Sequence, residues 1–226
     1  MSVAAIVAAG GIGKRLKARR HKSFIRLAGR PMLGWVLRAL ERSPSVKDVV
    51  IVAHPRDLAA ARRLARRQAC RKVSAVVPGG ETRSASVRRG LEALPARAKW
   101  VLVHDAARPL VAPALIEATI RAARAAKAAI AAVPVVPTIK QAEKGWVSKT
   151  LDRSLLWAVQ TPQVFERGLL ERAHRRADGP AATDDAVLVE AMGGRVKIVP
   201  GSERNLKVTT PEDLLIAEAL LKRNRS

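Results

Sequence analysis

Tyrosine is absent from the 226 residues, phenylalanine occurs twice, and aromatic residues make up only 3% of the chain. That scarcity speaks against a nucleic-acid binder of the RNA-recognition type, which stacks bases on exposed rings. Cys70 is the only cysteine, so no intrachain disulfide can form and a reducing compartment is expected. No apolar run approaches the roughly 20 residues needed to cross a bilayer. The opening stretch MSVAAIVAAGG is apolar but short and lacks a basic leader, so it reads as a buried first strand and not as a signal peptide. These absences point to the cytoplasm. Acidic residues are also scarce: 19 Asp and Glu face 42 Lys and Arg, a net charge of +23. Such a charge attracts nucleotide phosphates, nucleic acid or anionic membrane without choosing among them. Part of it falls on a solvated helix face, where Arg62/Arg66 and Arg63/Arg67 stand four residues apart. A basic exterior therefore implies no dedicated nucleic-acid or membrane partner.

What is present suffices for one core. Hydrophobic residues make up 48% of the chain, and its length suits a single domain with a projecting arm at about 137–157. Short apolar runs alternate with helical patterns. Strands are expected at Val3–Ala8, Val49–Ala53, Val73–Val77, Trp100–Val103 and Ala128–Val135. Helices are expected at Pro31–Arg42, Pro55–Cys70, Arg83–Leu94 and Pro113–Lys127. This alternation predicts an α/β fold, a mostly parallel sheet with helices on both faces. Beyond it, Thr138–Gln141 and Trp146–Leu151 flank Glu143-Lys144-Gly145 as a β-hairpin, which needs something else to pack on. Thr161 beside Pro162 reads as a turn. Helices follow at Glu166–Arg176 and Asp184–Met192, then a strand at Arg195–Val199. Thr210-Pro211-Glu212-Asp213 opens the last helix with a cap, a first-turn proline and acids.

In parallel sheets ligands sit at the carboxyl ends of the strands, and three motifs lie there. Ala9-Gly10-Gly11-Ile12-Gly13-Lys14-Arg15 follows the first strand, and basic residues continue to Lys22. Glycines let backbone amides approach phosphate oxygens, and the cations add charge. A Walker A loop is excluded, because Arg15 follows Lys14 where Ser or Thr is required. A dinucleotide fingerprint is excluded by Leu16 and by the missing acid near Ala53-His54. Pro78-Gly79-Gly80-Glu81-Thr82-Arg83-Ser84-Ala85-Ser86 follows the third strand and suits close reading of a base edge; equally, it is a turn with Thr82 or Ser84 capping the next helix. Val103-His104-Asp105-Ala106-Ala107-Arg108-Pro109 places an acid for a divalent ion and an arginine for phosphate, or else an Asp–Arg pair tying a loop. His104 has no ligand partner in the sequence and reads as structural.

The succession G-x-G-x-R…K, GG-x-x-R-x-x-S, HDAARP, DR, TPQ, TD and KVT-x-PEDL, from Val3 to Leu220, resembles the 2-C-methyl-D-erythritol 4-phosphate cytidylyltransferases. The resemblance implies a dimeric Rossmann-like fold whose hairpin arm serves dimerisation. It also implies a nucleotidyltransferase that joins CTP to 2-C-methyl-D-erythritol 4-phosphate, with Mg²⁺, and releases pyrophosphate for isoprenoid precursor synthesis. By position, Arg15, Lys22 and Lys207 correspond to the catalytic cations. Ala9, Gly10, Gly11 and Gly13 correspond to the triphosphate loop, and Gly80, Glu81, Ser86 and Ala106 to nucleotide contacts. Asp105 corresponds to the acid near the metal and substrates, and Arg108, Thr138, Arg153, Thr161 and Thr183 to acceptor positions. The chain departs from the family's usual pattern in three places. His21-Lys22-Ser23 stands where Pro-Lys-Gln is common, Glu81 where Asp is common, and Pro137 at an often acidic position. Two other readings use the same residues: a cytidylyltransferase acting on ribitol 5-phosphate, and a basic nucleic-acid-binding protein.

Overall fold

The computed structural model describes residues 2–11, 21–177 and 182–223. β1 (Val3–Ala9) is followed by a small hairpin, β2 (Arg26–Leu27) and β3 (Arg30–Pro31), turned through Ala28 and Gly29 at positive φ. The alternation read from the sequence then unfolds as α1 (Met32–Glu41), β4 (Val46–Ala53), α2 (Leu58–Arg67), β5 (Val73–Pro78), α3 (Arg83–Glu92), β6 (Trp100–Asp105), α4 (Pro113–Ala126) and β7 (Ala128–Pro134). An exposed hairpin follows, β8 (Lys140–Glu143) and β9 (Trp146–Thr150). Its two-residue turn puts Lys144 and Gly145 at φ 47° and 86°, the positive values that tight hairpins favour. The chain ends with β10 (Trp157–Glu166), α5 (Arg167–Arg176), α6 (Ala186–Glu190), β11 (Lys197–Pro200) and α7 (Pro211–Arg223).

Seven strands make one sheet in the order β11-β7-β10-β6-β1-β4-β5. Every pairing in it is parallel except those of β10, which runs antiparallel to β6 and β7. Side chains alternate across a strand, and β1 divides accordingly. Val3, Ala5, Val7 and Ala9 pack with α1, α2 and α4, while Ala4 and Ile6 face α3, α5 and α6. Gly90 lets α3 come close to β1: a Cβ there would meet Ile6 Cγ2 at 2.6 Å. A third, smaller cluster joins Leu27, Met32, Val208, Ala217 and Leu221, which seats α7 against the first hairpin.

Three expectations are corrected. Thr161 and Pro162 lie inside β10 and not in a turn, and β10 itself was not visible in the sequence pattern. Proline normally argues against a central strand because it cannot donate to the ladder. Here it sits at a break: β10 pairs with β7 through Val159 and resumes at Gln163. Second, the segment from Pro55 is a 3-10 turn, Pro55–Asp57, before α2 begins. Third, Pro31 precedes α1 as its cap residue, held in β3.

The end of α1 is closed by a single lysine. Lys72 Nζ donates to the carbonyls of Leu40, Glu41 and Ser43 at 3.0, 2.7 and 2.7 Å. Cationic side chains at a helix C-terminus satisfy its orphan carbonyls and oppose its dipole. Beside it, buried Cys70 donates its thiol hydrogen to Glu41 Oε2 at 3.2 Å. Burial, and then the Glu41 carboxylate, push this thiol up to about 12. Native protein should therefore resist a thiol reagent at pH 8 while unfolded chain reacts fully. Replacing Lys72 by Met should lower unfolding stability by about 1–3 kcal/mol in urea titrations.

Candidate active site

After β1 the chain moves to β4 and β5 on one side, then returns to β6 on the other. The loops leaving β1 and β6 diverge at that reversal and leave a crevice at the carboxyl ends. A cavity of about 260 Å³ lies there. Gly10 and Gly11 reach it from the end of β1, Lys22 from a turn soon after, Gly80 and Glu81 from the β5–α3 loop, Ser86 from the first turn of α3, Asp105 from β6, and Lys207 from the segment before α7.

Each wall has a local cause. Lys22 sits on a 3-10 turn, Lys22–Phe24, whose buried Ser23 donates its hydroxyl to the Ala9 carbonyl at 2.9 Å. That bond ties the turn to the end of β1. Gly80 is required by closeness, because a Cβ there would stand 2.6 Å from Ala85 Cβ. The Gly80 amide donates to Ser86 Oγ at 3.1 Å, and Ser86 donates on to the Thr82 carbonyl at 2.9 Å. Thr82 caps α3 by accepting from the Ala85 amide at 3.0 Å. The capping reading of this motif holds, and the loop also lines the cavity, to which it presents the positive end of the helix.

Asp105 is the electrostatic centre. Its Oδ2 meets Lys207 Nζ at 2.7 Å and its Oδ1 meets Arg83 Nε at 3.4 Å. Arg83 continues to Asp185 at 2.7 Å, and Asp185 to His174 at 3.0 Å, the last two side chains almost fully buried. Burial alone would raise the Asp105 pKa. Lys207 and then Arg83 outweigh it and hold the carboxyl at about 2. Burial likewise works against the charge on Arg83, yet Asp185 and Asp105 move its pKa upward. The cavity thus keeps an ionised acid between two cations.

Behind Asp105 lies a neutral relay. The Asp105 amide donates to Thr161 Oγ1 at 3.1 Å, and Thr161 stands 3.1 Å from His104 Nδ1. His104 Nε2 lies 3.2 Å from the Arg108 carbonyl, which can only accept. One neutral tautomer, with the proton on Nε2, satisfies the whole chain. Full burial pushes His104 down to about 4, in keeping with that tautomer and with its reading as structural. The Arg108 guanidinium is buried as well. It donates to the backbone carbonyls of Asn205 and Val159 at 2.8 and 3.2 Å, not to Asp105. Asn205 in turn donates to Gln160 and to the Thr161 carbonyl. These bonds fix the segment that carries Lys207.

The expected residues are thus partly gathered. Gly10, Gly11, Lys22, Gly80, Glu81, Ser86, Asp105 and Lys207 share the cavity. Ala9 and Ala106 are buried and do not line it, the Ala106 amide donating to the Ala8 carbonyl at 3.0 Å. Arg108 and Thr161 lie behind the wall. Thr138 and Arg153 stand exposed at the arm, where Arg153 donates to the Val136 carbonyl at 2.6 Å, and Thr183 is exposed ahead of α6. Gly13 and Arg15 lie outside the described residues. Sequence reasoning missed Arg83, Asp185, His174 and Asn205 as members of the site. Arg83 had a signal, being the arginine of GG-x-x-R-x-x-S. The other three are joined to the site only by folding.

Known proteins resemble this chain over nearly its whole length. The family described as IspD, 2-C-methyl-D-erythritol 4-phosphate cytidylyltransferase, matches residues 3–223. A protein of that name from Pelotomaculum thermopropionicum is 50% identical over 97% of this chain and 94% of its own. Another, from Gloeobacter violaceus, is 47% identical over 96% and 95%. The crystal structure of 4-diphosphocytidyl-2C-methyl-D-erythritol synthase from Anaerococcus prevotii superimposes with a TM-score of 0.86 at 30% identity, covering 98% of this chain and 96% of that one.

The buried relay makes stability fall in acid through two windows. His104 titrates at about 4 in the native protein and near 6.5 when unfolded, so its neutral burial costs stability as pH drops from 6.5 to 4. The Asp105 contribution is complete above 3.8 and is lost as pH falls towards about 2. Urea titrations should show unfolding stability declining between pH 6.5 and 4. His104→Gln, which cannot take up the proton, should flatten that window. An unchanged slope in the variant would mean that another group is responsible.

Proposed function

This chain belongs to the 2-C-methyl-D-erythritol 4-phosphate cytidylyltransferase family, and we propose on that premise that the cavity at the β1–β6 reversal is where it transfers a cytidylyl group from CTP to 2-C-methyl-D-erythritol 4-phosphate. The enzyme is a CTP-dependent nucleotidyltransferase of isoprenoid precursor synthesis. The observation that carries the assignment is the Lys207–Asp105 pair at 2.7 Å, facing Lys22 and the Gly80–Glu81 loop across one crevice.

An oxygen of the acceptor phosphate attacks the α-phosphorus of CTP, the new P–O bond forms, and the bridging P–O bond to the β-phosphate breaks to release pyrophosphate. No protein nucleophile is needed. The protein must hold two anions together and offset the charge that builds in the transition state. The amides at Gly10 and Gly11 and the Lys22 ammonium receive the triphosphate, together with Gly13 and Arg15 of the loop outside the described residues. Gly80, Glu81 and Ser86 read the base, with Ala106 beneath. Lys207 faces the reacting phosphates and is aimed by Asp105. The acceptor contacts Thr183 and, from the arm, Thr138 and Arg153, while Arg108 and Thr161, buried behind the cavity wall, act by holding the Lys207 segment and the Asp105 amide. A Mg²⁺ fits the donor set: one ionised carboxylate, Asp105, beside a triphosphate supplies the oxygen ligands this ion prefers. When bound, the ion neutralises and orients the triphosphate.

The chain works as a single nucleotidyltransferase domain, with its arm at about 137–157, and as a homodimer. Trp146, Val147, Leu155 and Val136 are 82, 62, 77 and 70% exposed around an isolated hairpin, a surface that a second copy would cover. Among the described residues no helix is long and apolar enough to cross a membrane. The compartment proposed for the reaction is the cytoplasm.

Pyrophosphate release with CTP and Mg²⁺ should require methylerythritol phosphate and be far slower with ribitol 5-phosphate. Preference for ribitol phosphate would keep the mechanism and change the acceptor. Lys207→Ala and Lys22→Ala should each slow turnover about 10²–10³-fold, by analogy with loss of one preorganised donor. Sedimentation should give a dimer that Trp146→Glu with Leu155→Glu converts to monomer.

A further inference from the structure

Only four histidines occur in the chain. His104 and His174 are buried and committed to Thr161 and Asp185. The other two, His21 and His54, converge from positions 33 residues apart, with ring centroids 4.3 Å from each other. Asp57 completes the group, its carboxylate bonded to His21 Nδ1. Each residue offers one ligand atom, and the three atoms lie within 4.8 Å of one another.

The fold has built this cluster on short, stiff supports. His54 follows β4 directly, and β4 is paired in register with β1, Ala53 opposite Ala9. His54 therefore stands beside Gly10 at the carboxyl edge, where a Cβ on Gly10 would lie 3.7 Å from the His54 amide. Pro55 then opens a 3-10 turn through Asp57, closed by the Asp57 amide donating to the His54 carbonyl at 2.8 Å. Residues three apart eclipse in such a turn, so His54 and Asp57 share one face. His21 reaches that face from the turn that carries Lys22, which Ser23 ties to Ala9. Its position is one where the family commonly has proline.

We propose that His21, His54 and Asp57 form a divalent transition-metal site, for Zn²⁺ or another imidazole-preferring ion, separate from the Mg²⁺ that accompanies the triphosphate. Two imidazoles and one carboxylate are a donor set that suits zinc and its neighbours, while magnesium prefers oxygen alone. The set leaves a coordination position for water, and the His21 and Asp57 side chains keep 21 and 17% of their surface exposed. The contacts an ion would replace are the His21–Asp57 bond and a 3.2 Å bond from the Arg56 amide to His54 Nδ1. Bound there, the ion clips the turn holding Lys22 to the end of β4, one residue from the nucleotide cavity. The clip is a positioning device and takes no part in the chemistry.

The test uses the full chain stripped of metal and titrated with Co²⁺, whose visible d–d bands report tetrahedral nitrogen and oxygen ligands. One equivalent should develop the bands, and Zn²⁺ should displace it and raise the thermal midpoint. His54→Gln, Asp57→Asn and His21→Pro should each weaken Co²⁺ binding by at least about 10-fold, since even the partners behind metal ligands cost that much. The midpoint should no longer respond to Zn²⁺ in these variants. Far-UV circular dichroism of the variants checks that they are folded. Absence of the bands, or bands that persist unchanged in all three variants, would overturn the proposal. Neither result bears on the cytidylyl transfer, because no readout depends on turnover.

Discussion

A carboxylate almost out of reach of water must be neutralised, and much of the site follows from how Asp105 meets that demand. Charged groups are rarely buried unless paired, because desolvation costs several kcal/mol per ion. Asp105 recruits Lys207 from the far end of the chain and Arg83 from the start of α3. Arg83 then needs its own second carboxylate, and Asp185 supplies it against His174. Thus one acid at the end of β6 orders the β5–α3 loop, the last loop and the segment before α6. Its lowered pKa is the signature of that arrangement, a fixed negative charge between two cations.

That arrangement also suits the reaction. Phosphoryl chemistry between two anions gains from cations that are already in place, since no reorganisation is then needed as charge develops. Lys207 is aimed by Asp105, and its loop is held by Asn205, Gln160 and the buried Arg108. The rest of the basic surface behaves differently. Arg62, Arg63, Arg66 and Arg67 are exposed on α2, where their charge is screened by solvent and salt. The net charge of the chain therefore says less about its chemistry than a few enclosed pairs do.

The sheet and the site were legible to different degrees. The strands buried on both faces announced themselves as continuous apolar runs, and the helices between them by their caps and periodicity. β10 was hidden because Pro162 interrupts it, and a sequence reader gives proline the weight it has in an ordinary ladder. The break in pairing that tolerates Pro162 exists only between β7 and β6. Similarly, Thr161 was legible as an acceptor position by resemblance, yet its hydroxyl serves the Asp105 amide.

By itself the sequence determined what local chemistry can determine: alternating strands and helices, glycines where backbone must come close, and strand-end residues able to meet phosphate. Those signals lie within a few neighbouring positions and depend on intrinsic geometry. Tertiary structure alone decided which distant charges meet. Arg83 finds Asp185 across 102 residues, Lys207 finds Asp105 across the same span, and His21 meets Asp57 across 36. Such pairings are absent from local pattern because they arise when strand order brings separate loops to one edge, and burial then makes each charge require its partner.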